Sequence, residues 1–208
     1  MQVGTVRREA LRLMFASYAE VTEASTVTEL YQNPQYAPYL AGMEMSINRA
    51  MLRMQTLGLL SPARVVLQMT PVVTGAVATF DLGGLPDLVG VEGLMCMADG
   101  EYTAQAYRWE GGTTLVVPLY RKGGEYVLLY TRRLPLLTPM CPDEVELPIP
   151  DALAALVPYY VKSELYEEED AVGAANARRY FEKGLEDYPR VAEQPAPTVA
   201  VRYGWRDV

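Results

Sequence analysis

The chain has 208 residues, half of them apolar, and its 26 acidic and 18 basic side chains give a net charge of −8. It contains no histidine, which removes the most common general base, most zinc sites and a Ser-His-Asp arrangement. No basic cluster exceeds Arg132–Arg133 or Arg178–Arg179, which disfavours a protein that wraps nucleic acid, and no apolar run reaches the roughly 18 residues of a membrane span.

Two helices are predicted within the first sixty residues. The first covers 5–20, where apolar positions share one face, and Glu9 and Arg12 argue against a secretory signal in this stretch. Residues 21–38 are predicted to form a loop punctuated by prolines. A second helix begins at Tyr39 and ends at the stop signal Gly58, because apolar residues recur at seven-residue intervals between them: Leu40, Met43, Ile47, Ala50, Met54 and Leu57.

The period of the pattern changes to two between about residues 63 and 140, where β-branched and aromatic residues accumulate. Glycine-containing turns at 110–112 and 122–124 link the last three strands into a meander. Pro118 predicts that its own strand lies at a sheet edge or is bulged there. Five strands are predicted: 64–69, 76–82, 102–109, 113–120 and 125–132.

A helical pattern returns after the strands. Asp151 is predicted as the N-cap of a helix whose apolar stripe continues on both sides of Pro158. This continuity predicts one helix with a bend near 154–158, since a proline past the first turn removes a hydrogen bond. Asp170 is predicted to cap a further helix, with the turn between the two near 167–172.

Each helical part is too short to form a core alone. The sequence therefore predicts an α+β fold with a four-helix bundle built from N- and C-terminal helix pairs, residues 1–60 and 145–189. Residues 62–140 form an inserted small antiparallel β-sandwich or barrel domain. Residues 190–208, which contain two prolines, form an extended C-terminal arm.

The four consecutive acids at 167–170 are the most obvious candidate for a cation site. They lack the alternating oxygen ligands and the central glycine of an EF-hand loop, so we expect a solvated helix end and no metal. Cys96 and Cys141 fit no metal spacing, and two buried free thiols are favoured over a disulfide. No dinucleotide or phosphate-loop pattern is present, so we expect no cofactor and no enzymatic activity.

Aromatic residues indicate two further possible binding surfaces. Six lie on the predicted strands, where a sugar-binding or base-stacking face is the alternative to ordinary sheet packing: Tyr102, Tyr107, Trp109, Tyr120, Tyr126 and Tyr130. In the arm, Tyr203 and Trp205 either fold back onto their own domain or dock on a neighbouring subunit. Together with Arg202 and Arg206 they are the candidate assembly contacts.

Two stretches of the chain resemble the adaptor, or head–tail connector, proteins of tailed bacteriophages. The first is "YAPYLAGMEMSINRAMLRM" (36–54), with Ile47, Asn48 and Ala50 at its core. The second is a predicted final strand that continues into residues 145–189, with a leucine-proline start, an acidic turn and a helix of small residues. The resemblance covers most of residues 1–189 and does not include the arm.

The resemblance implies a structural virion protein with no catalytic residues. Adaptors of this kind form a homo-oligomeric ring, usually twelve-fold, that joins the phage portal protein to a downstream neck or tail protein. DNA passes through such a ring only as cargo, no membrane is involved, and the protein is assembled in the host cytoplasm and resides at the head–tail junction of the virion. The alternatives are another phage neck or tail component, such as a completion or baseplate protein, and a ligand-binding β module.

Overall fold

The computed structural model describes residues 1–15, 21–98 and 100–189, and it divides the chain into two compact units. Residues 1–60 and 134–189 form a helical unit, and residues 61–133 form a β unit. The helical unit is therefore assembled from segments on both sides of the β unit. Residues 134–140, which the sequence pattern assigned to the insertion, belong to the helical unit.

Six helices make up the regular part of the helical unit within the described residues. The second was not predicted, because its six residues fall in a polar segment with no apolar stripe. It is nucleated by a capping box in which the Thr26 side chain accepts from the Glu29 amide and the Glu29 carboxylate accepts from the Thr26 amide. The helices are α1 (Val3–Met14), α2 (Val27–Gln32), α3 (Ala37–Thr56), α4 (Asp151–Ala154), α5 (Val157–Leu165) and α6 (Ala171–Asp187).

The predicted four-helix bundle of N- and C-terminal helix pairs is wrong. Helix α5 is the centre of the packing, and α1, α3 and α6 each pack against it. Since α5 has nine residues and α3 has twenty, their lengths are about 14 and 30 Å, and they cannot lie side by side over a bundle's full length. The helices therefore surround one short central helix.

Helix α5 is short because the predicted single helix is divided into two elements. Residues 155 and 156 separate α4 from α5, and the Leu156 amide bonds the Leu153 carbonyl at 3.0 Å in a tighter, three-residue turn. Pro158 lies in the first turn of α5, where a missing amide costs nothing. The expectation of one continuous bent helix is thus wrong, and the chain restarts a helix at the proline instead.

Two of the three predicted helix ends are confirmed and one is wrong. Asp170 is confirmed as the N-cap of α6, because its side chain accepts from the Gly173 amide at 2.8 Å. Asp151 is not an N-cap: it is the first residue of α4, and the preceding Pro150 provides no side-chain hydrogen bond. The stop at Gly58 is confirmed, since its φ of +68° follows the last turn of α3.

The β unit consists of two four-stranded antiparallel sheets that share one core. The strand order is β1-β8-β4-β5 in the first sheet and β2-β3-β7-β6 in the second. Phe80 from the second sheet lies against Tyr126 from the first, with ring centroids 5.7 Å apart. The strands are β1 (Ala63–Val66), β2 (Val72–Thr74), β3 (Val77–Asp81), β4 (Leu88–Ala98), β5 (Glu101–Ala104), β6 (Arg108–Glu110), β7 (Thr114–Val117) and β8 (Glu125–Arg132).

The topology differs from the predicted meander in three places. The single strand predicted at 102–109 is two strands, β5 and β6, which belong to different sheets. Strands β7 and β8 also belong to different sheets, so the turn at 122–124 connects the sheets rather than two neighbours. Pro118 follows the end of β7, which lies between β3 and β6 and is therefore neither an edge nor bulged at the proline.

Candidate functional site

A buried ionic cluster is the most concentrated polar feature of the helical unit. The Arg7 guanidinium in α1 donates to Glu44 Oε1 of α3 at 2.5 Å and to Asp143 Oδ1 at 2.6 Å. It also donates to the Cys141 carbonyl at 2.8 Å. Burial alone would lower the pKa of Arg7, but the hydrogen bonds to Glu44 and Asp143 outweigh it, so the pKa is raised.

The same cluster fixes the irregular segment that follows the β unit. Asp143 Oδ2 accepts from the Val27 amide at 3.0 Å, at the start of α2. The Asp143 carbonyl accepts from the Gly4 amide at 3.0 Å, at the start of α1. Helix starts leave such amides without partners inside the helix, so Asp143 satisfies two of them at once. The cluster is therefore a structural joint between α1, α2, α3 and this segment.

Sequence reasoning did not single out any of the charged members of this cluster. The available signal was Arg7 itself, which lies one position after Val6 and three before Ala10 on a helix whose apolar face is otherwise buried. A charged residue at such a position must find a partner when it is buried. The partners Glu44 and Asp143 are 37 and 136 residues away along the chain, so no local pattern identifies them.

Two residues of the acidic turn at 167–170 make structural hydrogen bonds, one as a helix cap and one to a tyrosine. Asp170 caps α6, and Glu169 Oε1 accepts from the Tyr39 hydroxyl at 2.7 Å. The hydrogen bond to Glu169 raises the pKa of Tyr39 to about 12. In the part of the chain that the structure describes, no group of three or more His, Cys, Asp or Glu side chains is placed to hold a metal ion.

The aromatic residues of the strands do not gather on one face. Tyr126 and Tyr130 are buried in the core of the β unit. Tyr102 is exposed on β5 and Trp109 on β6, which are outer strands of different sheets. These placements support the expectation that strand aromatics mainly pack the sheets, and they leave the sugar-binding alternative without a continuous platform among these residues.

The two cysteines are free and buried, which confirms the expected thiols. They lie in different units, since Cys96 belongs to β4 and Cys141 to the segment that contacts Arg7. Burial raises the pKa of the Cys141 thiol, which keeps it in the neutral, unreactive form at neutral pH.

A scan against protein-family models and a search of curated proteins both gave no match to this chain. Within the described ranges, no helix combines the length and apolar composition that are needed to cross a lipid bilayer. The chain's own residues are therefore the basis for any functional assignment.

Several exposed apolar side chains are the remaining candidates for contact with a partner. In the β unit four of them lie around β2 and the turn after β7, namely Val72, Val73, Val77 and Leu119, and the others are spread over further strands: Val66, Val89, Tyr102 and Trp109. In the helical unit they lie on the outer faces of helices and on the irregular segment: Met45, Leu52, Leu136, Met140, Val172 and Tyr180. The predicted assembly contacts Arg202, Tyr203, Trp205 and Arg206 lie outside the described residues.

Proposed function

We propose that this protein is a structural virion component, a head–tail adaptor subunit that forms a ring between the portal and the tail of a tailed phage. The observation that carries the proposal is the hairpin of α5 and α6, whose sequence resembles the adaptor pattern of a leucine-proline start, an acidic turn and a small-residue helix. The ring is homo-oligomeric, with twelve-fold symmetry as in the proteins it resembles. Its site of action is the head–tail junction of the virion, after assembly in the host cytoplasm.

The hairpin itself has the close packing that a repeated assembly element requires. The Tyr160 and Phe181 rings lie 4.8 Å apart, and the Tyr159 and Tyr180 rings lie 4.1 Å apart. At Gly184, a Cβ would come within 2.6 Å of Leu156, so a glycine is what lets α6 approach at that point. The pair is thus closely packed, and its outer residues are available for contact with neighbouring subunits.

The distribution of charge supports a role in which DNA passes without adhering. Residues 1–60 and 134–189 contain 17 acidic and 9 basic side chains, a net charge of −8. The β unit, residues 61–133, contains 7 acidic and 6 basic side chains. The net negative charge therefore belongs to the helical unit, and like charge on a surface opposes binding of the phosphate backbone.

Exposed apolar side chains are consistent with contacts to other proteins. The proposed partners are further copies of this chain, the portal protein and the next neck or tail protein. Met140 has a φ of +55° and is largely exposed, so an apolar side chain stands out of a strained backbone. Such positions cost free energy that a contact can offset. No membrane and no catalytic step is required by this role.

The proposal is tested by electron microscopy of the purified chain, alone and mixed with the portal rings of its phage. We expect rings stacked coaxially on the portal in the mixture, whether or not the purified chain also forms rings alone. Gold-labelled antibodies on intact virions should mark the junction between head and tail. Labelling of the tail tip instead would assign the protein to the baseplate. If purified virions do not contain the protein, the proposal is wrong.

A further inference from the structure

The β unit presents four sheet edges, and one of them differs chemically from the others. Three outer strands contain charged residues: Arg64 in β1, Glu101 in β5, and Arg108 with Glu110 in β6. Charged side chains on an outer strand oppose pairing with another chain. Strand β2, Val72–Thr74, has no charged residue, so its free edge is the one that lacks this protection.

The side chains of β2 are largely exposed, including one on the side of the sheet that faces the core. Val73 pairs with Ala78 of β3, which is fully buried, so Val73 lies on the side of the sheet that faces the core. It is nevertheless 50% exposed, and Val72 on the opposite side is 72% exposed. The core of the β unit is therefore open at β2, where one further strand would cover Val73.

A second observation at the same end of the sheet is the conformation of Leu119. This residue has a φ of +58° and is 74% exposed. It lies beside the turn between β2 and β3, because the amide of Tyr120 bonds the carbonyl of Ala76 at 2.8 Å. A leucine at positive φ costs about 1 kcal/mol or more. Leu119 is on the β7 side of β3, so it is exposed at the same end of the second sheet as β2 but does not lie on the free edge itself.

We propose that residues 198–205 of a neighbouring copy add to β2 as a fifth strand of the second sheet. This segment, "TVAVRYGW", has a large apolar side chain at every second position: Val199, Val201, Tyr203 and Trp205. In a strand these four share one face, which would lie on the core side with Val73. The only charged residue, Arg202, then points to the opposite, solvent-facing side.

The length of chain available allows the segment to leave its own copy. Eight residues separate Pro189, the last described residue, from residue 198. When extended, they span up to about 28 Å. Strand addition uses main-chain hydrogen bonds for affinity and alternate side chains for specificity. Because β2 is only three residues long and follows Pro71, the aromatic anchors Tyr203 and Trp205 would supply much of the binding energy.

The choice of a neighbouring copy rests on the proposed function. A cyclic ring is closed by head-to-tail contacts, in which one patch of each subunit meets a different patch of the next. An arm that leaves one subunit and an edge that accepts it on the next are such a pair. Strand β2 of the next subunit would thus be the acceptor surface for the candidate contacts Tyr203 and Trp205.

Cysteine cross-linking between full-length chains tests the pairing directly. One chain carries Val73→Cys, a second carries Val201→Cys and a mass tag, and the two are mixed, assembled on portal rings and oxidised gently. The native thiols Cys96 and Cys141 are buried. We expect a covalent heterodimer of 73 with 201, and none above background when Val66→Cys replaces Val73→Cys, since Val66 lies on outer strand β1 and is 40% exposed.

Two cross-linking results would overturn the assignment. One is the absence of any product between 73 and 201. The other is an intramolecular disulfide: a chain that carries both Val73→Cys and Val201→Cys would lose the two introduced thiols without forming dimers, because the segment would then bind its own copy. As a second measurement, Val73→Lys should reduce the cross-linkable ring population by about tenfold, with an unchanged circular dichroism spectrum, and Val66→Lys should not. Equal ring populations for the two lysine variants would also contradict the inference.

The outcomes separate the two proposals from each other. If rings form on the portal while the 73–201 product is absent and Val73→Lys assembles normally, the strand inference fails and the adaptor function stands. If the product forms between copies that never assemble on a portal, the strand pairing stands and the adaptor function fails.

Discussion

The Arg7 guanidinium in α1 lies 2.5 Å from the Glu44 carboxylate in α3, and only 1% and 5% of the two side chains are exposed. Removing one partner of a buried pair leaves the other charge without compensation. We therefore expect Arg7→Ala to lower the free energy of unfolding of the helical unit by about 3 to 5 kcal/mol. Urea unfolding followed by the helical circular dichroism signal measures this.

The matched control for Arg7 is Arg49→Ala. Arg49 also pairs with a carboxylate of another helix, that of Glu164 at 3.3 Å, but more than half of its side chain is exposed. Exposed pairs contribute about 0 to 1 kcal/mol. If both substitutions cost the same, the buried cluster is not the joint that its geometry indicates.

Gly4→Ala should disturb the same cluster, because the added methyl group would crowd Asp143. A Cβ at Gly4 would lie 2.6 Å from Cβ and 2.7 Å from Cγ of Asp143, so the main chain around Asp143 must move. Although alanine favours a helix over glycine, we expect a net loss of about 1 to 3 kcal/mol from this overpacking. The same urea titration measures it.

Gly42→Ala in α3 is the control for Gly4. Its nearest neighbour would be the end of a flexible side chain, Leu165 Cδ2 at 3.2 Å, which can turn away. Here the helix propensity should dominate and stabilise the unit by up to about 1 kcal/mol. A loss as large as that of Gly4→Ala would show that the crowding at Asp143 is not the cause.

Pro158→Ala is expected to lower the free energy of unfolding by about 1 to 2 kcal/mol, because it removes two buried ring carbons, and not to raise it. Pro158 lies in the first turn of α5, where proline is well tolerated and its fixed φ suits a helix start. Ser163→Pro, seven residues into the same helix, should cost about 3 kcal/mol or more, because it removes the bond to the Tyr159 carbonyl and clashes with it. A large gain from Pro158→Ala would contradict the division into α4 and α5.

The Tyr39 hydroxyl should lose its proton at an unusually high pH. Its hydrogen bond to Glu169 raises its pKa from 10 to about 12. Because the pKa is higher in the folded chain than in the unfolded chain, the stability from this contact is complete below about pH 10 and is lost as the pH rises through about 12. Tyrosine ring carbon shifts in nuclear magnetic resonance, compared with those of Tyr39→Phe, identify the titration.

Two substitutions that each neutralise one acidic side chain distinguish the effect of the hydrogen bond on the Tyr39 pKa from the effect of the turn's total negative charge. Glu169→Gln should return the pKa of Tyr39 towards 10, since it removes the acceptor charge. Glu168→Gln removes the same charge from the neighbouring residue and should leave the titration near its original position. Identical shifts in the two variants would mean that the acidic turn acts only through its summed charge.

Strand β4 shows why part of the fold could not be predicted. It is the longest strand, with eleven residues, yet Gly90, Gly93, Met95 and Met97 give it no β-branched alternation. It forms because it pairs with β8 and β5 on its two sides, and the pairing is irregular near both glycines. Partners up to 44 residues away, such as Arg132 opposite Leu88, decide its structure.

The sequence by itself determined the elements whose signals are local. The seven-residue spacing from Leu40 to Met54 placed the buried face of α3, Asp170 placed the start of α6, and glycine placed turns that need positive φ. These signals work because a helix stripe, a cap and a turn each involve residues that are close along the chain.

Only the tertiary structure decided the arrangement of those elements. It placed α5 at the centre of the helical unit, assigned β7 and β8 to different sheets, and brought Arg7 to Glu44 and Asp143. Each of these outcomes depends on burying surfaces from distant segments together, with their polar groups satisfied. The free energy of that burial belongs to pairs of segments, and no stretch of sequence read alone contains it.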